Sequence, residues 1–99
     1  MAARKSILHA IASVLPDYPE VRRVYLFGSV THAGTFHSDS DIDVAVEGTK
    51  AEQYFELCHE LGNAATEWQI DLREINQPSH FTETVQQRGE LVYERTEPA

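Results

Sequence analysis

Apolar residues Ile7, Leu8, Ile11, Val14 and Leu15 fall at helical spacing, so residues 6–15 read as an amphipathic first helix with one buried face, ended by Pro16. Asp17-Tyr18-Pro19-Glu20 reads as a turn, because each proline pushes its preceding residue away from the helical region. Residues 21–27 are β-branched and aromatic apart from Arg22 and Arg23, which belong at a solvated strand entrance within reach of an acidic partner. The second half of that run is wholly apolar, as in a central strand covered on both faces. Residues 28–39 lose strand character: 29–33 can form a short helix ending at Gly34, and the remainder is loop. Strict alternation returns at 41–47, where Ile42, Val44 and Val46 interleave with Asp41, Asp43, Ala45 and Glu47.

Gly48 closes that second strand. Thr49, with Glu52 three residues on, has the pattern of a capping box opening a helix near Lys50 that runs through Phe55, Cys58 and Leu61 to Gly62-Asn63. A third strand spans 68–75, with Trp68, Ile70 and Leu72 on one face and Asp71 on the other. Pro78-Ser79 opens a last helix, Ser79 as its cap and Phe81 and Val85 as buried contacts. Gly89 ends it, and Leu91-Val92-Tyr93 forms a short closing strand or extended tail before frayed residues 96–99. The order predicts an α/β (α+β) domain: a small sheet of about four strands flanked by helices.

Composition narrows this picture. A chain of 99 residues has room for a single core, so one domain covers 1–99. The net charge of −8 should repel a nucleic-acid backbone, which argues against long DNA or RNA as a ligand. A metal-chelated nucleotide is still compatible, since the cation offsets the repulsion locally, and a basic protein partner gains weight. No apolar run reaches the roughly 20 residues of a membrane span, and the N-terminal segment is too interrupted for a secretory signal. The single cysteine, Cys58, rules out an internal disulfide, reads as a small packing residue, and fits a cytoplasmic location.

The chemistry gathers around Val24-Tyr25-Leu26-Phe27-Gly28-Ser29 and Ser40-Asp41-Ile42-Asp43-Val44. On a strand, residues two apart project from one face at about 6.5–7 Å, so Asp41 and Asp43 can converge on one cation or a close pair. A lone Asp-x-Asp would read as a solvated sheet face. Here Ser40 precedes it, Gly28-Ser29 lies at the end of the preceding strand, and Asp71 offers a third carboxylate from a separate strand. Gly28 lets a phosphate approach the backbone, and Ser29 adds a hydroxyl donor, although an ordinary strand-to-helix turn would look similar. Asp39 reads as a loop residue, and Arg73, on the side of Asp71, can meet a phosphate or pair with an acid. His9, His37, His59 and His80 share no metal-ligand spacing, and Trp68 reads as core.

Leu26-Phe27-Gly28-Ser29 followed by Ser40-Asp41-Ile42-Asp43-Val44 resembles the signature of the DNA polymerase β-like nucleotidyltransferase superfamily, and within it the minimal nucleotidyltransferase group, antitoxins found beside HEPN-domain ribonuclease toxins. The resemblance extends to Ile70-Asp71-Leu72 and to Arg88-Gly89-Glu90-Leu91-Val92-Tyr93-Glu94. It implies a mixed sheet of the polymerase β-like fold, a triphosphate held by Gly28, Ser29 and Ser40, and Mg²⁺, as two ions, held by the catalytic Asp41, Asp43 and Asp71. It further implies transfer of AMP from ATP to a hydroxyl, by analogy a tyrosine, of a HEPN toxin. The chain departs from the family between the two halves: Val30-Thr31-His32-Ala33-Gly34 lacks the arginine members carry there, and the loop is one residue longer. Two other readings stay open. One is a nucleotide- or protein-binding module that neutralises its partner by complex formation; the other is the catalytic subunit of a two-component small-molecule nucleotidyltransferase. Either allows a homo- or hetero-oligomer.

Overall fold

The computed structural model describes residues 2–28, 41–66 and 68–95. Helix α1 (Ala2–Val14) leads through a 3-10 turn (Leu15–Asp17) to β1 (Arg23–Phe27). Next come β2 (Ile42–Glu47), α2 (Ala51–Ala64), β3 (Ile70–Glu74), α3 (His80–Arg88) and β4 (Glu90–Glu94). The four strands form one mixed sheet in the order β3-β2-β1-β4. β1 is antiparallel to both β2 and β4, and β2 runs parallel to β3. The predicted α/β layering and central position of β1 are what the structure shows. The short helix expected at 29–33 lies outside the described residues.

Alternation along the strands divides the protein into two unequal cores. Val24, Leu26, Ile42, Val44, Val46 and Leu72 turn one way and meet Ile7, Ala10, Ile11 and Val14 of α1 and Leu57 and Leu61 of α2. Each large aliphatic side chain sealed there contributes about 1.5–3 kcal/mol relative to exposure. Trp68 and Cys58 pack against this cluster, partly buried, as a structural reading of both required. The other face carries a smaller cluster, Tyr25, Ala45, Ile75 and Val85, with Phe27 against it. Among the described residues one short helix, α3, packs on that side.

Several expectations are corrected. Pro16 sits inside the 3-10 turn, whose tighter winding accommodates it, and the chain then turns through Tyr18 N–H to Leu15 O and Val21 N–H to Tyr18 O. Thr49 does not cap α2. The cap is Lys50, without a side-chain bond, because the Asn76 amide donates to the Thr49 carbonyl at 2.7 Å and the Thr49 side chain is drawn into the interior. Glu52 therefore completes no capping box. β3 is shorter than 68–75 at both ends, α2 runs to Ala64, one residue past the expected Gly62-Asn63, and Phe81 is exposed where burial was expected. Thr82 is buried in its stead: its hydroxyl donates to the Gln77 carbonyl at 2.8 Å while Ser79 Oγ, the cap as predicted, accepts from Thr82 N–H at 3.0 Å.

Two hydrogen-bonded corners brace the layers. Tyr18, buried just after the 3-10 turn, donates its hydroxyl to Glu56 Oε1 on α2 at 2.9 Å. Gly48 turns the chain at φ +104°, a conformation other residues adopt only with strain, and a Cβ there would run into the Glu20 carbonyl oxygen. Its N–H donates to Asn76 Oδ1 at 2.6 Å, tying the end of β2 to the segment after β3. Arg22 and Arg23 do reach acidic partners: Arg23 bridges Glu47 and Glu94 at 2.9 Å each, and Arg22 approaches Glu47 at 3.5 Å.

Burial, followed by the bond to Glu56, pushes the Tyr18 hydroxyl up to about 12. The fold keeps this phenol protonated where an unfolded chain, at about 10, has released the proton, so the contribution is complete below pH 10 and is lost as pH rises toward 12. In chemical denaturation, Tyr18→Phe should cost about 1 kcal/mol at pH 7, and its deficit against wild type should close across that alkaline window. Gly48→Ala should cost about 2 kcal/mol or more at any pH in the same assay.

Candidate functional site

The alternation that sends Ile42, Val44 and Val46 into the large core sends Asp43 and Ala45 to the opposite face. Register then assembles a row across three strands. Phe27 of β1 stands opposite Asp43 of β2, and Asp43 stands beside Asp71 of β3. Neighbouring strands lie about 4.8 Å apart, so two carboxylates are held side by side by backbone pairing alone. Asp41, exposed just before β2, adds its charge from the same end. The parallel pairing of β2 with β3 is what makes this possible, because both strands present their N-terminal halves at one edge of the domain. The next row along is Tyr25, Ala45 and Arg73, in which Tyr25 and Ala45 are buried in the smaller core and Arg73 is exposed.

Gly28 follows β1 with φ +74°, and a Cβ at this position would overlap Asp43 Oδ2. The glycine is therefore required twice, by its backbone conformation and by the carboxylate packed against it. Sequence reasoning placed Gly28 at the site for its openness to a phosphate; the structure adds that it makes room for Asp43. Ser29 and Ser40, the other predicted nucleotide-binding residues, lie outside the described residues, as do His32, Asp39 and the rest of the loop.

The electrostatics of the row are unfavourable as it stands. Burial first, then the charges of Asp71 and Asp41, raise the Asp43 carboxyl above its ordinary range, and Arg73 opposes them. Arg73 is the acid-pairing arginine anticipated, with Nε 3.3 Å from Asp71 Oδ1. Among the described residues no group of three His, Cys, Asp or Glu is arranged to hold a metal ion as it stands. The donor chemistry nonetheless suits a hard divalent cation, since Asp41, Asp43 and Asp71 offer only carboxylate oxygens and a cation would relieve the mutual repulsion that raises Asp43. On the outer side of β3, Tyr54 donates its hydroxyl to the Leu72 carbonyl, steadying the strand that carries Asp71. Burial is the main cause that raises the Tyr54 hydroxyl as well.

A hollow of about 290 Å³ lies at the other end of β2 and β3, lined by Arg22, Glu47, Asn76 and Gln86 among others. It is separate from the carboxylate row. Sequence reasoning missed the aromatic border of that row: Phe27 and Phe81 meet edge-to-face with centroids 5.5 Å apart, one register position from Asp43. Phe27 was visible in the motif, but only the tertiary packing of α3 brings Phe81 to it. No described helix is long and apolar enough to cross a membrane.

The family described as Polymerase beta, Nucleotidyltransferase matches residues 9–98. Among solved structures, a toxin–antitoxin complex with AMP-PNP is similar at 29% identity and TM-score 0.71, covering 89% of this chain and 73% of that one. A mutant of the toxin–antitoxin pair MntA–HpeT is similar at 30% identity and TM-score 0.67, covering 86% and 70%. The structure of a tri-AMPylated Shewanella oneidensis HEPN toxin in complex with MNT antitoxin shares the fold, at 24% identity and TM-score 0.65 over 93% and 73%. No curated protein matches the chain.

The strain at Asp43 is measurable without any ligand. Its raised carboxyl makes the ionised form a burden on the fold, absent below the ordinary aspartate range and growing as pH rises through it. With EDTA present, Asp43→Asn should melt at a higher temperature than wild type at pH 7, and the difference should vanish as pH falls toward 3.5, roughly the carboxylate range.

Proposed function

Since the chain belongs to the polymerase β nucleotidyltransferase family, we propose that it transfers AMP from ATP to a hydroxyl, a tyrosine by analogy, of a HEPN-type toxin and so acts as the antitoxin of that partner. The observation that carries this reading is the register row: Asp43 beside Asp71, Asp41 at the same end, and Gly28 closed against Asp43. Similar chains in complexes with AMP-PNP and with an AMPylated toxin support the nucleotide and the partner. The compartment this implies is the cytoplasm.

Asp41, Asp43 and Asp71 would hold Mg²⁺, as a pair of ions, which when bound supplies charge neutralisation for the triphosphate and acidifies the acceptor hydroxyl. The chain's own residues account for the remainder. Gly28 lets phosphate oxygens approach the backbone, and Ser29 and Ser40 supply hydroxyl donors on either side of the loop. The acceptor oxygen bonds to the α-phosphorus, the bond to the bridging oxygen breaks, and pyrophosphate leaves with the electron pair. Asp71 takes up the hydroxyl proton, and Arg73 keeps its carboxylate oriented from the adjacent row.

A second reading, neutralisation by binding alone, is favoured by the net charge of −8, which suits a basic partner surface. One pair of experiments separates the two. Wild type, incubated with labelled ATP, Mg²⁺ and a HEPN-type partner, should place label on the partner, and Asp41→Asn with Asp43→Asn should lower the rate by a factor of about a hundred or more. No label from wild type would sink the transfer reading; protection of cells by the double variant would favour binding alone.

A further inference from the structure

Phe81 is 40% exposed although its neighbours Thr82 and Val85 are buried. Its position is nonetheless fixed. Ser79 caps α3 through Thr82 N–H, Thr82 anchors to the Gln77 carbonyl, and the Phe81 ring meets Phe27 at an interplanar angle of 79° with centroids 5.5 Å apart. An edge-to-face contact of this kind holds a ring without covering both of its faces. Phe27 in turn is the register partner of Asp43, and directly paired antiparallel residues have Cβ atoms about 4.5–5.5 Å apart. An exposed, rigid aromatic face thus continues the carboxylate row on the same side of the sheet. Exposure alone would not single it out: Phe55, 78% exposed, lies on α2, which packs against the opposite sheet face, and its link to the strand of Asp71 runs through Tyr54.

We propose that Phe81, backed by Phe27, is the surface on which the nucleobase of the bound nucleotide stacks. The proposal rests on the nucleotidyltransferase reading and names a further part of that site. A nucleotide whose phosphates lie at Asp43 must direct its sugar and base away from the carboxylates, and the border beyond Asp43 on β1 is Phe27 and then Phe81. Stacking suits such a border because every base has a π-face, so a flat apolar ring binds it without needing a hydrogen-bonding edge. The partner's side chain is the competing occupant; adjacency to the phosphate site, one register position away, favours the base.

Calorimetry on the full chain with Mg²⁺, using ATP and inorganic tripolyphosphate as separate probes, tests this. Phe81→Leu keeps an apolar contact with Phe27 but removes the π-face. It should raise the Kd for ATP by roughly fivefold to a hundredfold and leave that for tripolyphosphate within about twofold, while Phe81→Trp keeps or tightens ATP. An unchanged ATP Kd in Phe81→Leu overturns the proposal, as does equal weakening of both probes, which would make the ring a prop for the carboxylates. Unchanged ATP binding with weakened binding of the HEPN-type partner assigns the ring to the acceptor and overturns it too. Wild type that binds no ATP overturns the nucleotidyltransferase reading along with this one, whereas wild type that binds ATP beside an insensitive Phe81→Leu overturns this one alone.

Discussion

The pairing of β2 between β1 and β3 is the constraint on which the site and the core jointly depend. Along β2 every second side chain must be dry, because Ile42, Val44 and Val46 close the core against α1 and α2. That obligation leaves Asp43, Ala45 and Glu47 no choice of face. A slip of one residue would bury the carboxylates and expose the aliphatics, so the hydrophobic energy that stabilises the domain also fixes where its charges stand. The parallel register with β3 then adds Asp71 beside Asp43 without any side-chain contact being needed to hold it there.

The two faces of the sheet are treated differently, and the difference has a physical reason. One face is sealed by two helices and supplies most of the buried apolar surface. Among the described residues the other has one short helix, α3, and Asp43, Asp71 and Arg73 lie on that face, half-buried to exposed. Burying those side chains more deeply would desolvate several charges, which hydrogen bonding alone could not offset. Asp43 already shows the cost of partial desolvation in its raised carboxyl. Strain of this kind, concentrated where chemistry is proposed and compensated by a well-packed opposite face, is the usual relation between a site and its scaffold. Gly28 belongs to the same pattern: its missing Cβ is the space that the carboxylate occupies.

Where the sequence misled, the errors share a cause. Thr49 and Glu52 form a sound capping pattern, yet Asn76, 27 residues away, claims the Thr49 carbonyl and leaves Lys50 as the cap. Phe81 has the spacing of a buried helix residue, yet α3 is turned so that Thr82 enters the interior through its bond to Gln77. In both cases a local rule met a competing hydrogen bond to a residue outside the helix, distant in the chain for Asn76 and just before the helix for Gln77, and local propensity is too weak to win such a contest. Ser79 as cap held because its partner, the Thr82 amide, is itself local.

The amino-acid order by itself determined the strands, through their period of two, the faces on which Asp43 and Asp71 lie, and the glycine that precedes the loop. Those are consequences of burial and backbone sterics within a few residues, and they are legible wherever a chain is read. Only the tertiary structure decided that β2 and β3 pair in parallel with Asp43 beside Asp71, that Arg73 answers Asp71, and that Phe81 comes to rest against Phe27. Register between strands separated by a helix, and the rotation of a helix about its own axis, are set by how whole elements pack. No short stretch of sequence contains that information, because the energy that selects it is shared among residues far apart in the chain.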